Sequence, residues 1–166
     1  MDEESFRSFY EQTARNLRAY LRSMLNDQTL VDDLLQESYF RILKAALPTD
    51  MDAPHRKNYL YRIAANLVHD HRRSRKMEEL PEHLPGERAG LTMRESFEAA
   101  HDIGKAFDGL KPREQDVLWL AYVECFDHKE IATILRARSA SIRPMLFRAR
   151  ARFRDLLRRR GLGTQK

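Results

Sequence analysis

The amino-acid sequence predicts an all-α protein of two small helical domains joined by a short flexible linker. Apolar residues recur every three or four positions along most of the 166 residues, which is the spacing of amphipathic helices. Glycine and proline are scarce, with six of each, and β-branched residues are few. Proline, glycine and acidic residues concentrate near the middle of the chain, so we expect domains at 1–76 and 96–166 with a linker at 77–95.

The first helix is predicted by one apolar face and by signals at its N-terminus. Ser5 is the expected N-cap, acidic residues lie beside it where the helix dipole is positive, and Asn26 and Asp27 end the helix. The apolar face consists of Phe6, Phe9, Leu17, Tyr20, Leu21 and Leu25.

A second helix is expected from Thr29 to about Ala46, ended by Pro48, with a loop as far as His55. One side of this helix is apolar and the other is polar. The residues expected to be buried are Leu30, Leu34, Leu35, Tyr39 and either Ile42 or Leu43. The polar side consists of Asp32, Asp33, Gln36, Glu37 and Arg41.

The third predicted helix, from about His55 to Lys76, combines an apolar face with seven basic residues and one acidic residue, a net charge of +6. Aromatic rings beside cations are typical of surfaces that bind single-stranded nucleic acid, because rings stack on bases and cations follow the phosphates. A plainer interpretation is that Tyr59 and Tyr61 are half-buried helix residues. The residues by themselves leave both interpretations open. The inward face consists of Tyr59, Leu60, Ile63, Ala64 and Leu67.

The C-terminal half predicts a helix-turn-helix. A helix from Ser96 to Phe107 is followed by one that begins near Pro112, and then by a short and a long amphipathic helix separated only by the turn Arg136 to Ser141. In this arrangement the second helix enters the major groove of DNA. The long helix has an apolar face of Ile142, Leu146, Ala149, Phe153 and Leu157.

Charge favours DNA binding by that long helix, although a solvated arginine-rich face is the alternative. From Arg136 to Arg160 there are ten arginines and one acidic residue, a net charge of +9 in a chain whose total is +5. The planar guanidinium suits both phosphate and guanine. The stripe expected to meet DNA consists of Arg143, Phe147, Arg150 and Arg154.

Several other kinds of protein are disfavoured. No apolar run approaches the ~18 residues of a membrane span, and the acidic N-terminus does not resemble a signal peptide, so we expect a cytoplasmic protein. The single cysteine, Cys125, excludes an internal disulfide, and its neighbours Val123 and Phe126 predict a buried thiol. The six histidines are scattered, so we expect no metal site, catalytic residue or cofactor.

Two pairs of segments carry a family resemblance. DDLLQESYFRI (32–42) and NYLYRIAANLVHDHRRSRK (58–76) resemble region two of bacterial sigma factors, while LKPREQDVLWLAYVECFDHKEIATIL (110–135) and FRARARFRDLL (147–157) resemble region four. The two regions follow each other without the middle domain of larger sigma factors, as in the extracytoplasmic-function (ECF) group. The resemblance implies a protein that binds core RNA polymerase and promoter DNA, directs transcription initiation and is held by an anti-sigma factor.

The resemblance also implies three sets of site residues. Those docking on core polymerase would be Asp33, Gln36, Glu37 and Arg41. The −10 element would be recognised and melted by Tyr59, Arg62 and Asn66 together with the loop 47–55. The DNA phosphates there would be contacted by Arg72 and Arg73. Those facing the −35 element would be Ser141, Arg143, Phe147, Arg148 and Arg150.

The sequence departs from the family pattern in and after the turn. Arginine replaces the usual glycine at position 136, and Pro144 and Met145 stand in the recognition helix. Proline costs ~3 kcal/mol in a helix interior but much less in the first turn, where Pro144 would lie near an N-cap at Ser139 or Ser141. We therefore expect an altered −35 preference. One alternative is a sigma-like adaptor that binds a regulatory protein in place of promoter DNA. Another is a helix-turn-helix repressor, but that hypothesis does not account for the polar face of the second helix.

Overall fold

The computed structural model describes residues 1–78 and 96–162, which form helices and contain no strand. This confirms the prediction of an all-α protein with two helical domains. The boundaries proposed from the sequence stay a prediction, because most of the expected linker 77–95 lies outside the described residues. The helices are α1 (Glu3–Met24), α2 (Gln28–Lys44), α3 (Ala53–Glu78), α4 (Ser96–Asp108), α5 (Pro112–Tyr122), α6 (His128–Leu135) and α7 (Ser139–Arg159).

The N-terminal unit is a three-helix bundle in which α1, α2 and α3 all pack on one another. Its centre is aromatic as well as aliphatic: the rings of Tyr20 and Tyr61 lie 5.6 Å apart, and the hydroxyls of Thr13 and Tyr39 share a buried hydrogen bond of 2.7 Å. Burial raises the pKa of Tyr39 to about 12, so this hydroxyl stays protonated at neutral pH. The largest fully buried aliphatic side chains are those of Leu17, Leu21, Val31, Ile42, Leu60 and Val68.

Aspartates, rather than the serine expected from the sequence, begin the helices of this unit. Asp2 caps α1 by accepting a hydrogen bond of 2.8 Å from the backbone N–H of Ser5, which already lies in the first turn. Asp27 caps α2. At the start of α3, Asp52 accepts a hydrogen bond of 2.8 Å from the backbone N–H of His55. A carboxylate satisfies a free N–H and also complements the positive end of the helix dipole.

The buried face of α2 is rotated slightly from the predicted one. Val31 and Ser38 are buried, whereas Leu30 and Leu34 are only half-buried and Leu43 is exposed. Each residue advances 100° around a helix, so the choice of Ile42 for the core turns the adjacent Leu43 toward solvent. The expected burial of Leu30 and Leu34 was therefore wrong in degree, and of the two residues expected as alternatives it is Ile42 that is buried.

The C-terminal unit is organised around α7, which packs on both α4 and α5. Phe107 and Phe153 meet edge to face with ring centroids 6.4 Å apart. Asp127 and Glu130 form a reciprocal capping box at the start of α6, with two hydrogen bonds of 2.8 Å. The buried aliphatic core includes Ala106, Leu110, Val117, Leu120, Ile131, Ile142, Leu146 and Ala149.

Two connections of this unit depend on residues with positive φ. Cys125, at φ 58°, closes the end of α5, and Arg136, at φ 52°, closes the end of α6. The predicted burial of Cys125 was wrong: its side chain is exposed, whereas its two neighbours Glu124 and Phe126 are buried. Arg136 adopts the backbone conformation that the usual glycine would favour.

Pro144 lies deeper in α7 than the sequence suggested. The helix begins at Ser139, and Arg138 is its N-cap without a side-chain capping bond, so neither Ser139 nor Ser141 is the cap. Pro144 is thus in the second turn, where it cannot donate to the carbonyl of Ala140. Pro144 and Ala140 are both exposed, and water can therefore bind the free carbonyl oxygen of Ala140.

Candidate surfaces for polymerase and promoter DNA

The predicted docking residues lie along the outer face of α2. Asp33, Gln36 and Arg41 are exposed, and Glu37 is half-buried. The carboxylate of Glu37 accepts a hydrogen bond of 2.6 Å from Nε of Arg41, four residues later. This pair is largely solvated, so its contribution to stability is below about 1 kcal/mol and it can open toward a partner.

An apolar groove adjoins these charges, and sequence reasoning missed it. Phe40 and Leu43 are 50% and 48% exposed, and they line the groove together with Tyr10 of α1. The ring of Tyr10 lies 4.7 Å from that of Tyr39, which anchors the groove to the core. Phe40 falls four residues after Gln36, so the helical spacing already placed it on the polar face.

An ion pair between α1 and α2 also lines the groove. Arg18 donates to the carboxylate of Asp32, and the side-chain amide of Gln28 also approaches that carboxylate at 3.4 Å. Asp32 therefore has its charge compensated within the protein. The structure records no ion pair for Asp33 within residues 1–78, so Asp33 offers the freer carboxylate of the two.

The predicted −10 residues lie on one face of α3. Tyr59, Arg62 and Asn66 are all half-buried and are separated by three and four residues. The guanidinium of Arg62 lies over the ring of Tyr59, 4.7 Å from its centroid. Tyr61, by contrast, is fully buried and belongs to the core, so its ring is not accessible for stacking on a base.

The two arginines near the end of α3 differ from each other. Arg73 is exposed, whereas Arg72 donates from Nη2 to the backbone carbonyl of Met24 at 3.0 Å. Nη1 of Arg72 is buried and has no hydrogen-bond partner among the described residues. Arg72 therefore ties α3 to the carbonyl end of α1, where unpaired backbone acceptors accumulate.

The loop before α3 is held by its own side chains. Nδ1 of His55 lies 2.6 Å from a carboxylate oxygen of Asp52, and Nη2 of Arg56 donates to the carbonyl of Met51 at 2.9 Å. These contacts fix the approach of the loop to the N-terminus of α3.

The predicted −35 residues form an open surface on α7. Arg143, Phe147, Arg148 and Arg150 are exposed, with Phe147 at 68%, and Ser141 is half-buried. Residues 143, 147 and 150 share one helical face, because they are separated by four and three positions. Nη1 of Arg150 donates a 2.9 Å hydrogen bond to the hydroxyl of Tyr122, a residue that sequence reasoning missed.

Within residues 1–78 and 96–162, no three His, Cys, Asp or Glu side chains form a group that could hold a metal ion. No helix in the same ranges combines the length and apolarity needed to cross a bilayer.

Both halves of the chain match known sigma-factor families. Residues 9–78 match the model of Sigma-70 region 2, and residues 100–153 match that of Sigma-70 region 4. The RNA polymerase sigma factor SigZ of Bacillus subtilis (strain 168) is 27% identical over 149 residues, covering 89% of this chain and 84% of SigZ. The ECF RNA polymerase sigma factor SigM of the same organism is 27% identical over 154 residues, covering 90% of this chain and 93% of SigM.

Solved structures share the fold. The sigma factor RpoE of Bartonella quintana, in complex with the anti-sigma factor NepR, superposes with a TM-score of 0.71 at 20% identity, covering 93% of this chain and 98% of RpoE. CnrH, in complex with the cytosolic domain of CnrY, superposes with a TM-score of 0.68 at 20% identity, covering 95% of this chain and 90% of CnrH. With both sigma regions matched in order along nearly the whole chain, the protein belongs to the ECF group of bacterial RNA polymerase sigma factors.

Proposed function

We propose that this sigma factor docks on core RNA polymerase through α2, melts the −10 element with α3 and reads the −35 element with α7. As an ECF sigma factor, the chain binds core polymerase and promoter DNA and directs promoter-specific transcription initiation. The observation that carries the −35 assignment is the exposure of Phe147 between exposed arginines on the recognition helix. One exposed apolar ring is ordinary on a protein surface, but a ring beside Arg143, Arg148 and Arg150 forms a surface suited to DNA, where the cations meet phosphates or guanine and the ring meets a base.

The docking surface is proposed to combine an acidic rim with an apolar centre. Asp33, Gln36 and Glu37 would meet basic and polar groups of the polymerase, while Phe40 and Leu43 supply the desolvated contact. Binding energy at protein interfaces concentrates in such buried apolar contacts, and charges at the rim mainly set rate and specificity. Arg41 would exchange its bond to Glu37 for one to the partner.

The melting surface is proposed to capture an unstacked base. The base would stack on Tyr59 while Asn66 reads its edge, and these contacts repay the few kcal/mol needed to extrude it. Arg62 would move from the ring of Tyr59 to a phosphate or to the other face of the base. We assign the phosphate contact to Arg73 and regard Arg72, which is bonded to Met24, chiefly as a structural residue.

The −35 surface is proposed to read duplex DNA through Arg143, Phe147 and Arg148, with Ser141 and Arg150 at its margin. Arginine forks pair with guanine edges and phosphates, and an aromatic ring can contact a thymine methyl group. Pro144 lies on this exposed surface and removes one backbone donor, which supports an altered −35 preference. The open surface gives the adaptor hypothesis no support.

We also propose where this sigma factor acts and how it is inhibited. We place the protein in the cytoplasm, where core polymerase and the promoter are, and we assign bond formation to the polymerase alone. The fold-level likeness to RpoE in its complex with the anti-sigma factor NepR supports inhibition of this chain by an anti-sigma factor.

Run-off transcription with purified core polymerase on a library of promoter sequences tests the function. We expect transcripts from a defined subset of promoters only when the protein is added. An adaptor or a repressor would give no added transcripts, and either result would overturn the proposal. The same protein preparation assayed without core polymerase, and core polymerase assayed without the protein, control for contaminating polymerase and sigma factor.

A further inference from the structure

One hydrogen bond in the C-terminal unit joins two exposed side chains from different helices. Tyr122 is the last residue of α5 and is 55% exposed, and Arg150 lies on the outer face of α7. Nη1 of Arg150 donates to the tyrosine hydroxyl oxygen at 2.9 Å. The packing of α5 on α7 is already secured by buried residues such as Leu120 and Leu146, and a solvated polar contact adds little to it.

The pair retains donors that point away from the protein. A tyrosine hydroxyl has one donor hydrogen as well as acceptor lone pairs, so accepting from Arg150 leaves its own hydrogen to be donated elsewhere. Arg150 keeps four further N–H groups and a full positive charge. Within residues 1–78 and 96–162, the structure records no acceptor for these remaining donors. A cation and a neutral donor held side by side are suited to a phosphate oxygen.

The position of the pair fits the edge of a DNA-binding surface. Arg150 follows Arg143 by seven residues and Phe147 by three, so it shares their face of α7. Tyr122, at the end of α5, is bonded to Arg150 and therefore adds a residue of α5 to the edge of this surface. In a recognition helix that lies in the major groove, base edges are reached from the middle of the face and backbone phosphates from its margins.

We propose that Tyr122 and Arg150 form a clamp for one DNA backbone phosphate flanking the −35 element. Tyr122 positions the guanidinium of Arg150 and donates its own hydroxyl hydrogen to the same phosphate. This inference rests on the proposed binding of the −35 element by α7. Because the clamp contacts phosphate only, it fixes the register of α7 on the duplex and carries no sequence preference of its own.

Holoenzyme reconstituted from core polymerase and the full chain tests the clamp by anisotropy, over a range of salt concentrations. The probes are a fluorescent duplex of the strongest promoter in the run-off library and the same duplex with its −35 element scrambled. We expect Tyr122→Phe to weaken binding about three- to tenfold on both probes, the usual effect of losing one hydrogen bond at a solvated site. The slope of log affinity against log salt should stay unchanged, because no charge is removed.

Arg150→Gln should weaken binding and reduce the salt slope by about 0.9, the value for one phosphate contact. Tyr122→Phe should then have less effect in the Arg150→Gln background than in the wild type, because both side chains act on one phosphate. Arg152→Gln is the matched charge control, since Arg152 is 3.5 Å from the carboxylate of Glu114 and its charge is already compensated. Its salt slope should match that of the wild type.

Three results would overturn the clamp. The first is wild-type affinity for Tyr122→Phe, and the second is an effect of Tyr122→Phe that is as large in the Arg150→Gln background as in the wild type. A sequence-dependent loss confined to the unscrambled probe would also overturn it, because it would place Tyr122 at a base. Failure of the wild-type holoenzyme to bind the promoter is a different outcome, since it contradicts the proposed function itself.

Discussion

The left-handed backbone at Arg136 gives a stability prediction that can be worked through from the structure. At φ 52° a side chain with a β-carbon is strained by about 1–2 kcal/mol, and glycine removes that strain. Glycine also makes the unfolded chain more flexible, which costs about 0.4–1 kcal/mol. We therefore expect Arg136→Gly to raise the free energy of unfolding by about 0.5–1 kcal/mol, the difference between these effects.

Tryptophan fluorescence is a suitable assay because Trp119 is the only tryptophan in the sequence and lies in α5 of the C-terminal unit. A gain of that size corresponds to a rise in Tm of roughly 2–8 °C in a domain of this length. Arg136→Ala is the matched control: it removes the same side chain but keeps the β-carbon, so it should give no increase. Equal Tm values for the glycine and alanine variants would refute the strain explanation.

Three further predictions concern docking, recognition and acid stability. Asp33→Arg should abolish co-purification with core polymerase, whereas Arg7→Gln, an exposed change on α1, should not; retained co-purification would remove Asp33 from the docking surface. Pro144→Ser should change the −35 sequence selected from a promoter library, and an unchanged selection would show that the proline does not set the preference. The backbone N–H of Ser5 lowers the pKa of Asp2 below its usual 3.8, and that of His55 lowers the pKa of Asp52 likewise. Since both groups bind protons more weakly when folded, their stabilisation is complete above about pH 4 and is lost as the pH falls through the lowered pKa values. Chemical unfolding from pH 7 to pH 2 should show this loss, and the double variant Asp2→Asn, Asp52→Asn, which keeps neutral caps, should show a shallower acid dependence; an identical acid dependence would contradict the assignment.

Helical periodicity predicted the order of the helices and most of the core, because burial of one face is a local property of sequence. Periodicity alone could not decide which of two adjacent apolar residues is buried. Ile42 and Leu43 are both apolar, and only the packing of α2 on α1 and α3 decides that Leu43 faces solvent. The same limit applies to the cap of α1, where Asp2 and Ser5 are both good capping residues three positions apart.

Long-range contacts at the candidate sites could not be predicted from spacing. Arg72 reaches the carbonyl of Met24, 48 residues earlier, and Arg150 reaches Tyr122, 28 residues earlier. The exposure of Cys125 was missed for another reason: a positive φ is readily expected at glycine but carries no signal at a cysteine. The family resemblance supplied the functional classes of residue, and the structure added Phe40, Leu43 and Tyr122 as candidates.

Permanganate footprinting of the reconstituted holoenzyme on a selected promoter tests the central proposal most directly, because permanganate oxidises unpaired thymines. The account predicts reactive thymines around the −10 element together with protection of the −35 duplex, both dependent on this sigma factor. It also predicts that Tyr59→Ala abolishes the reactive thymines while the −35 protection remains. Reactive thymines that persist in Tyr59→Ala, or a −35 duplex left unprotected by the wild-type holoenzyme, would contradict the assignment of α3 to melting or of α7 to recognition.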